Sequence, residues 1–355
     1  GERGLCWIRA AYEGAPESSI GKAAGVALYG KELDNSATEL ERFAACAFAH
    51  FLQYGLKIEE RQEYEFRQAD LGNVIHQALE QFSRNLKKNQ LTWRSLTDQE
   101  RDQLIDTSVE ETIHDYGNTI LESSARNQYM ILRVKRILRR TVWALQQQLK
   151  AGKYEPSRFE ISFSMEEDLK ASNFQLSEDE SLSLRGRIDR VDRYEEDDTI
   201  YVKVIDYKSG NTALDLTSVY HGLQLQLIVY LNAALELEEK NHPGKHAEPA
   251  GMFYYHVKDP LVDGKPGDEE EPIEWKLMET LKVDGLVRAE EKMLKDLDRE
   301  LEAGKISLVI TAAYNNKGSL SSSSNPASKQ PFQQLCAYAN DNVGEDGTRS
   351  MGVAM

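Results

Sequence analysis

Two β-like runs constrain this chain more than any other feature. Leu182–Tyr194 and Thr199–Tyr207 flank the acidic tetrapeptide Glu195–Asp198, which is hairpin spacing. If Asp197 and Asp198 form a two-residue turn, Asp189 and Asp206 stand directly opposite each other. Facing Cβ atoms on antiparallel strands lie about 4.5–5.5 Å apart, so both carboxylates could hold one hard cation. The strand period of two puts Lys208 on the Asp206 face, with Ile205 and Tyr207 on the other. A one-residue slip would dissolve this arrangement, so the register is a sharp expectation.

Taken alone, Asp206-Tyr207-Lys208 is most simply a solvated ion pair. Here it follows the apolar run Tyr201–Ile205, which predicts a buried strand. Charges there are costly, and a function explains them better than chance does. Two carboxylates and a lysine suit phosphodiester hydrolysis. Mg²⁺, or Mn²⁺ in its place, takes oxygen ligands, activates water and neutralises phosphate charge. An ammonium can orient the water or stabilise the transition state.

The 355 residues suggest two compact units or one large α/β domain with helical additions. Residues 1–35 show no clear period and read as a tail from an upstream region. Ser36 and Glu39 have capping-box spacing, opening a helix with the apolar stripe Leu40, Phe43, Ala44, Ala47, Phe48, Phe51 and Leu52. Further helices are expected over Leu71–Leu86, Asp98–Tyr116 and Ser124–Lys150. From Pro156 the pattern turns to strands: Arg158–Phe163, the hairpin, and Gly251–Val257 after a long helix Val219–Leu237. Leu261–Pro272 reads as loop, Ile273–Ala303 as mostly helix, Ser307–Thr311 as strand, and serine-rich Gly318–Lys329 as a surface loop. This order predicts a mixed α/β sheet over 36–311, with a helical insertion at about 90–150 and a C-terminal extension at 312–355.

At Gly186-Arg187-Ile188-Asp189 and Asp206-Tyr207-Lys208 the chain resembles the RecB-type PD-(D/E)XK nucleases. Gly72-Asn73-Val74-Ile75-His76 is similar to the helix whose histidine completes their metal site. Gln226-Leu227-Ile228-Val229-Tyr230 is similar to their Gln-x-x-x-Tyr motif, although Gln224 competes for the polar position. Ser36–Arg61 resembles the segment ahead of the nuclease domain in the AddB-type members, and the likeness covers about Ala27 to Met355. The resemblance implies a PD-(D/E)XK fold and Mg²⁺-dependent cleavage of DNA during double-strand break repair. It assigns His76, Asp189 and Asp206 to the metal, Lys208 to the water, and Gln226 and Tyr230 to DNA or to the support of Lys208. Glu160 could approach the metal. The expected partners are DNA and an AddA-type helicase–nuclease subunit that carries the motor. The alternative is a subunit that binds DNA ends or its partner without cutting. Intact Asp189, Asp206 and Lys208 speak against that.

Members of the AddB type also hold a 4Fe–4S cluster through one cysteine ahead of the domain and three grouped after it. Cys46 matches the first; Cys336 stands alone and does not match the group. A cluster needs about four thiolates, so none is expected of this chain as written, and truncation ahead of the group is the expected reason. Cys46 then reads as a small apolar residue on the inner face of its helix. Cys6, Cys46 and Cys336 are odd in number and scattered, which points to a reducing, cytoplasmic setting rather than a disulfide framework. No run approaches the ~18 apolar residues of a membrane span, and no signal peptide is expected. Gly25–Lys31 imitates a phosphate-binding loop, but Glu32 stands where Ser or Thr is needed. A net charge of −16 rules out gripping polyanions by overall charge. Ser124–Tyr154 contains basic residues and no acidic one, and Arg133, Arg136 and Arg140 fall at helical spacing. They are candidates for DNA backbone contact, against the plainer reading of a solvated face or subunit interface.

Overall fold

A computed structural model describes residues 21–58, 68–115, 125–163, 169, 173–176, 179–263, 270–288, 290–302 and 305–311. Cys6, Cys336, the serine-rich segment and 312–355 lie outside them.

The expected hairpin is present. β4 (Ser181–Glu196) and β5 (Thr199–Lys208) run antiparallel from Glu196↔Thr199 to Arg190↔Ile205, the register that sets Asp189 against Asp206. Asp197 supplies the turn with a left-handed φ of 52°, a conformation that Asp tolerates better than most residues. β6 (His246–His256) joins β5 in parallel, and β7 (Asp284–Val287) closes that edge antiparallel to β6. On the other side β4 pairs with β1 (Glu32–Ser36) in parallel, and with β2 (Glu155–Phe163) and β3 (Asn173–Gln175) antiparallel. The result is the expected mixed sheet.

Helices cover both faces, which explains why Val202–Tyr207 is buried throughout. The first face carries α4 (Gln68–Lys88), α5 (Asp98–Asp115) and α6 (Ala125–Ala151), packed on Ile205, Tyr207, Phe253 and Tyr255. The second carries α8 (Gln226–Asn241), packed on Ile200, Val202, Val204 and Met252. Ile205 and Tyr207 thus lie opposite Val202 and Val204, as the period of two requires.

Several expectations fail in instructive ways. Within the expected tail, α1 (Lys22–Tyr29) and β1 are ordered, so the phosphate-loop imitation lies partly inside a helix. The capping box at Ser36 and Glu39 is real and starts α2 (Ala37–Ala45). Cys46 then takes an extended backbone and breaks the expected helix, which resumes as α3 (Ala47–His50) and a π-turn at Phe51–Gly55. Cys46 is exposed rather than inward-facing, and Phe43 and Phe48 of the predicted inner stripe are exposed too. The expected helix Val219–Leu237 is α7 (Leu216–Tyr220) and α8, parted by a turn in which Gly222 has φ 73°. Ile273–Ala303 divides into α9 (Glu270–Thr280), β7 and α10 (Glu291–Leu297). Among the described residues, Ser307–Thr311 makes the single bridge Val283↔Ile310 rather than a strand. No helix among the described residues is long and apolar enough to cross a membrane.

Candidate active site

The site forms where β4 and β5 part. Their ladder ends at Arg190↔Ile205, and the next backbone N–H, that of Tyr207, donates to Asp189 Oδ2 at 2.7 Å instead of to a strand. Asp189 and Asp206 therefore enter the gap as side chains, both buried.

β2 contributes Glu160 to the same gap. Glu160 sits in a left-handed conformation, φ 48°, in the middle of a strand. Phe159 before it packs on the first core and Ile161 after it on the second, so the strand changes faces at Glu160. A non-glycine residue held this way costs of order 1–3 kcal/mol and marks functional sites more often than chance would.

α4 supplies His76. Leu71, Val74, Ile75, Ala78 and Leu79 anchor the helix in the first core. Gly72 lets it approach the end of β5, since a Cβ there would sit 3.3 Å from Ser209 Oγ. His76 Nδ1 lies 3.2 Å from Asp189 Oδ2 and 3.9 Å from Glu160 Oε1. Ligand atoms of His76, Glu160 and Asp189 all fall within 4.8 Å of one another.

Lys208 completes the cluster. Its Nζ is 2.6 Å from Asp206 Oδ2 and donates to Gln226 Oε1 at 2.7 Å. Gln226 Nε2 donates in turn to the Tyr230 hydroxyl at 3.0 Å. Gln226 opens α8, whose first backbone N–H groups have no cap of their own and are taken by Glu41 of α2. Tyr230 lies against β4 because Gly186 leaves room: a Cβ there would come within 2.6 Å of Phe163 and 2.8 Å of Tyr230. His76, Asp189, Asp206, Lys208, Gln226 and Tyr230 line one open cleft of about 500 Å³ together with Asn73, Arg187 and Thr212, and the Glu160 side chain lies buried behind them.

A model of the PD-(D/E)XK nuclease superfamily matches residues 35–338. The chain belongs to this superfamily. It is also 43% identical over 92% of its length to the B subunit of an ATP-dependent helicase/deoxyribonuclease from Lachnoclostridium phytofermentans. It is 37% identical over 92% to the protein of that name from Alkaliphilus metalliredigens, and 34% over 93% to the one from Alkaliphilus oremlandii. The chain spans 28% of the length of each of these relatives.

The electrostatics of this PD-(D/E)XK site suit a divalent cation. Burial, followed by the charge of Asp189, pushes the Glu160 carboxyl up to about 8. The same two causes push Asp206 up to about 6, with Lys208 opposing them. Burial lowers His76, but its hydrogen bond to Asp189 and that residue's charge outweigh burial, and its pKa is raised. Glu160 Oε2 and Asp206 Oδ2 are buried without a well-formed hydrogen bond, facing only the charges of Arg187 and Lys208. Three crowded carboxylates and an imidazole, with two oxygens left so, form a donor set that a hard or borderline cation fits.

The structure thus brings together His76, Asp189, Asp206, Lys208, Gln226 and Tyr230. It adds Glu160 as an equal member of the cluster. Gln224 drops out, because its amide bonds Ala213 and Asp215 in the preceding loop. Arg187, which the sequence reading passes over, reaches Glu160 Oε2 through Nε at 2.6 Å; its place two residues before Asp189 is the signal that could have found it. Arg133, Arg136 and Arg140 do not line the cleft. Arg136 pairs with Asp259 at 2.6 Å, and Arg140 stacks on Trp143 at 5.3 Å. Their neighbours Lys135 and Arg139 pair with Glu110 and Asp106 of α5, so much of the charge of α6 is answered within the protein.

Proposed function

We propose that the chain is the nuclease part of an AddB-like subunit and hydrolyses DNA phosphodiesters with Mg²⁺, Mn²⁺ being able to substitute. The observation that carries this reading is the convergence of Asp189, Asp206, His76 and Lys208 in one open cleft of a PD-(D/E)XK fold, with Glu160 against His76 and Asp189. A divalent cation held by Asp189, Asp206, Glu160 and His76 would acidify a water and draw charge from the phosphate. Lys208, beside Asp206, donates to the attacking water or to a phosphate oxygen. Gln226 and Tyr230 hold Lys208 in place, which favours a supporting role over DNA contact. The water oxygen bonds to phosphorus, one P–O ester bond breaks, and the leaving oxygen takes up a proton as the water gives one to solvent.

The relatives are named as one subunit of an ATP-dependent helicase/deoxyribonuclease, which supports a setting with at least one further subunit. We therefore read DNA and an AddA-type helicase–nuclease subunit as partners, double-strand break ends as substrate, and the cytoplasm as the setting. Cys46 would serve a 4Fe–4S cluster only together with thiolates from beyond the described residues. The stripe Arg133, Arg136 and Arg140 would guide the DNA backbone. The deciding experiment is a Mn²⁺ soak with anomalous diffraction, paired with Asp206→Ala. An ion on Asp189 and Asp206 and a dead variant are expected. Undiminished cleavage by Asp206→Ala would sink the reading and favour a non-cleaving scaffold.

A further inference from the structure

Two basic side chains, Lys208 and Arg187, line the cleft. Lys208 Nζ is held between Asp206 and Gln226. Arg187 is half exposed, at 52%, and its Nε lies 2.6 Å from Glu160 Oε2. Its main chain is nonetheless fixed. Gly186 beside it is pinned between Phe163 and Tyr230. The backbone thus presents a half-exposed, forked donor in the cleft that Asp189 and Asp206 also line.

A phosphodiester approaching those carboxylates needs a counter-charge at the rim. Guanidinium matches two non-bridging phosphate oxygens in a bidentate fork that an ammonium cannot reproduce. We propose that Arg187 binds the non-bridging oxygens of the phosphodiester that is cut, exchanging its Glu160 contact for the substrate. This rests on the hydrolase reading above and names a phosphate subsite within it. Glu160 serves as the resting partner that keeps the guanidinium over the cleft while substrate is absent.

The competing role is purely positional: Arg187 would merely hold Glu160 in place. Arg187→Ala and Arg187→Lys separate the two, with single-turnover cleavage at saturating Mn²⁺ measured beside Mn²⁺ binding by calorimetry. A phosphate ligand predicts a rate loss of roughly 10²-fold, as for one preorganised stabilising donor, with Mn²⁺ affinity unweakened and only partial recovery by lysine. Weakened Mn²⁺ binding with normal cleavage at saturation overturns the proposal. In the cleavage-dead Asp206→Asn background, oligonucleotides carrying one methylphosphonate at successive positions give a second readout by fluorescence anisotropy. At one position the neutral linkage should weaken the parent protein about tenfold and the Arg187→Ala form not at all; equal losses at every position overturn the proposal. Asp206→Ala in the same cleavage assay keeps the failures apart. If it is dead while Arg187→Ala cuts normally, only this inference falls, and if it cuts normally, the hydrolase reading falls with it.

Discussion

Asp206→Asn should disable cleavage and, in the metal-free protein, raise stability. Asp206 is 3% exposed. Burial and the neighbouring Asp189 raise its carboxyl from 3.8 to about 6, net of the Lys208 ion pair at 2.6 Å. A carboxyl whose folded pKa lies above its unfolded value costs stability once the unfolded chain releases the proton more readily. That cost is absent below about pH 4, grows toward pH 6 and is complete at pH 7. At ~1.4 kcal/mol for each tenfold change in proton affinity, it amounts to ~3 kcal/mol at most. Asparagine keeps the shape and carries no charge. Urea unfolding in EDTA should therefore show the variant more stable by ~1–3 kcal/mol at pH 7 and level with the parent near pH 4. Saturating Mn²⁺ should close the gap, because ligand at a hundred times its Kd adds about 2.7 kcal/mol to the form that binds it. A variant less stable than its parent at pH 7 in EDTA would refute the reasoning, since the Lys208 pair would then outweigh burial.

Lys208→Ala should lower single-turnover cleavage by ~10²-fold with Mn²⁺ affinity retained; calorimetry showing lost metal binding but normal cleavage at saturating metal would contradict its placing. Gly186→Ala forces a Cβ within 2.6 Å of Phe163 and 2.8 Å of Tyr230 and should cost about 1–3 kcal/mol in urea unfolding, with Phe163→Leu recovering part of it. Arg190→Ala strips Asp192 of a two-point ion pair at 2.5 and 2.8 Å inside the first core and should cost about 3–5 kcal/mol in the same measurement. Reversing Arg133, Arg136 and Arg140 to Glu should weaken DNA binding at all sequences alike and reduce the salt slope by roughly one for each phosphate no longer neutralised. An unchanged slope in anisotropy, with weakened capture of the partner subunit, would make α6 an interface instead.

The hairpin register was legible because it depends on local arithmetic. A two-residue turn and a period of two suffice to bring Asp189 to Asp206. The helices α4, α5 and α6 were legible, with bounds within a few residues of those expected, whereas Val219–Leu237 and Ile273–Ala303 were not. What escaped was decided by pairing and close approach. β1 is a short polar run that becomes a strand only because Ser181–Arg185 offers it an edge. β7 replaces expected helix where Gly285 presses against the backbone of Met252, a contact that no side chain would permit. Cys46 interrupts an apolar stripe with an extended residue, and no periodicity announces that break.

Glu160 shows most clearly why the site exceeds its motifs. Read as an ordinary strand, Phe159, Ile161 and Phe163 would share one face. Instead Phe159 packs on the first core, while Ile161 and Phe163 face the second. β4 turns over in step: Ile188 faces the second core, but Arg190 stacks beneath Trp93 and Phe159 at 5.0 and 5.9 Å on the first. Glu160 and Asp189 are the residues at which the two strands change faces, and their carboxylates meet at the seam. The strain at Glu160 is held by what lies on either side of it. Arg190, Asp192 and Lys203 form a buried charged cluster on the first face, and the rings of Phe163 and Tyr230 meet edge to face over Gly186 on the second. The bidentate Arg190–Asp192 pair fastens this cluster, although Arg190 Nη1 is left without a hydrogen bond among the described residues. Glu160 and Asp189 come together at the seam beside Asp206, the arrangement of oxygens that a divalent cation would need.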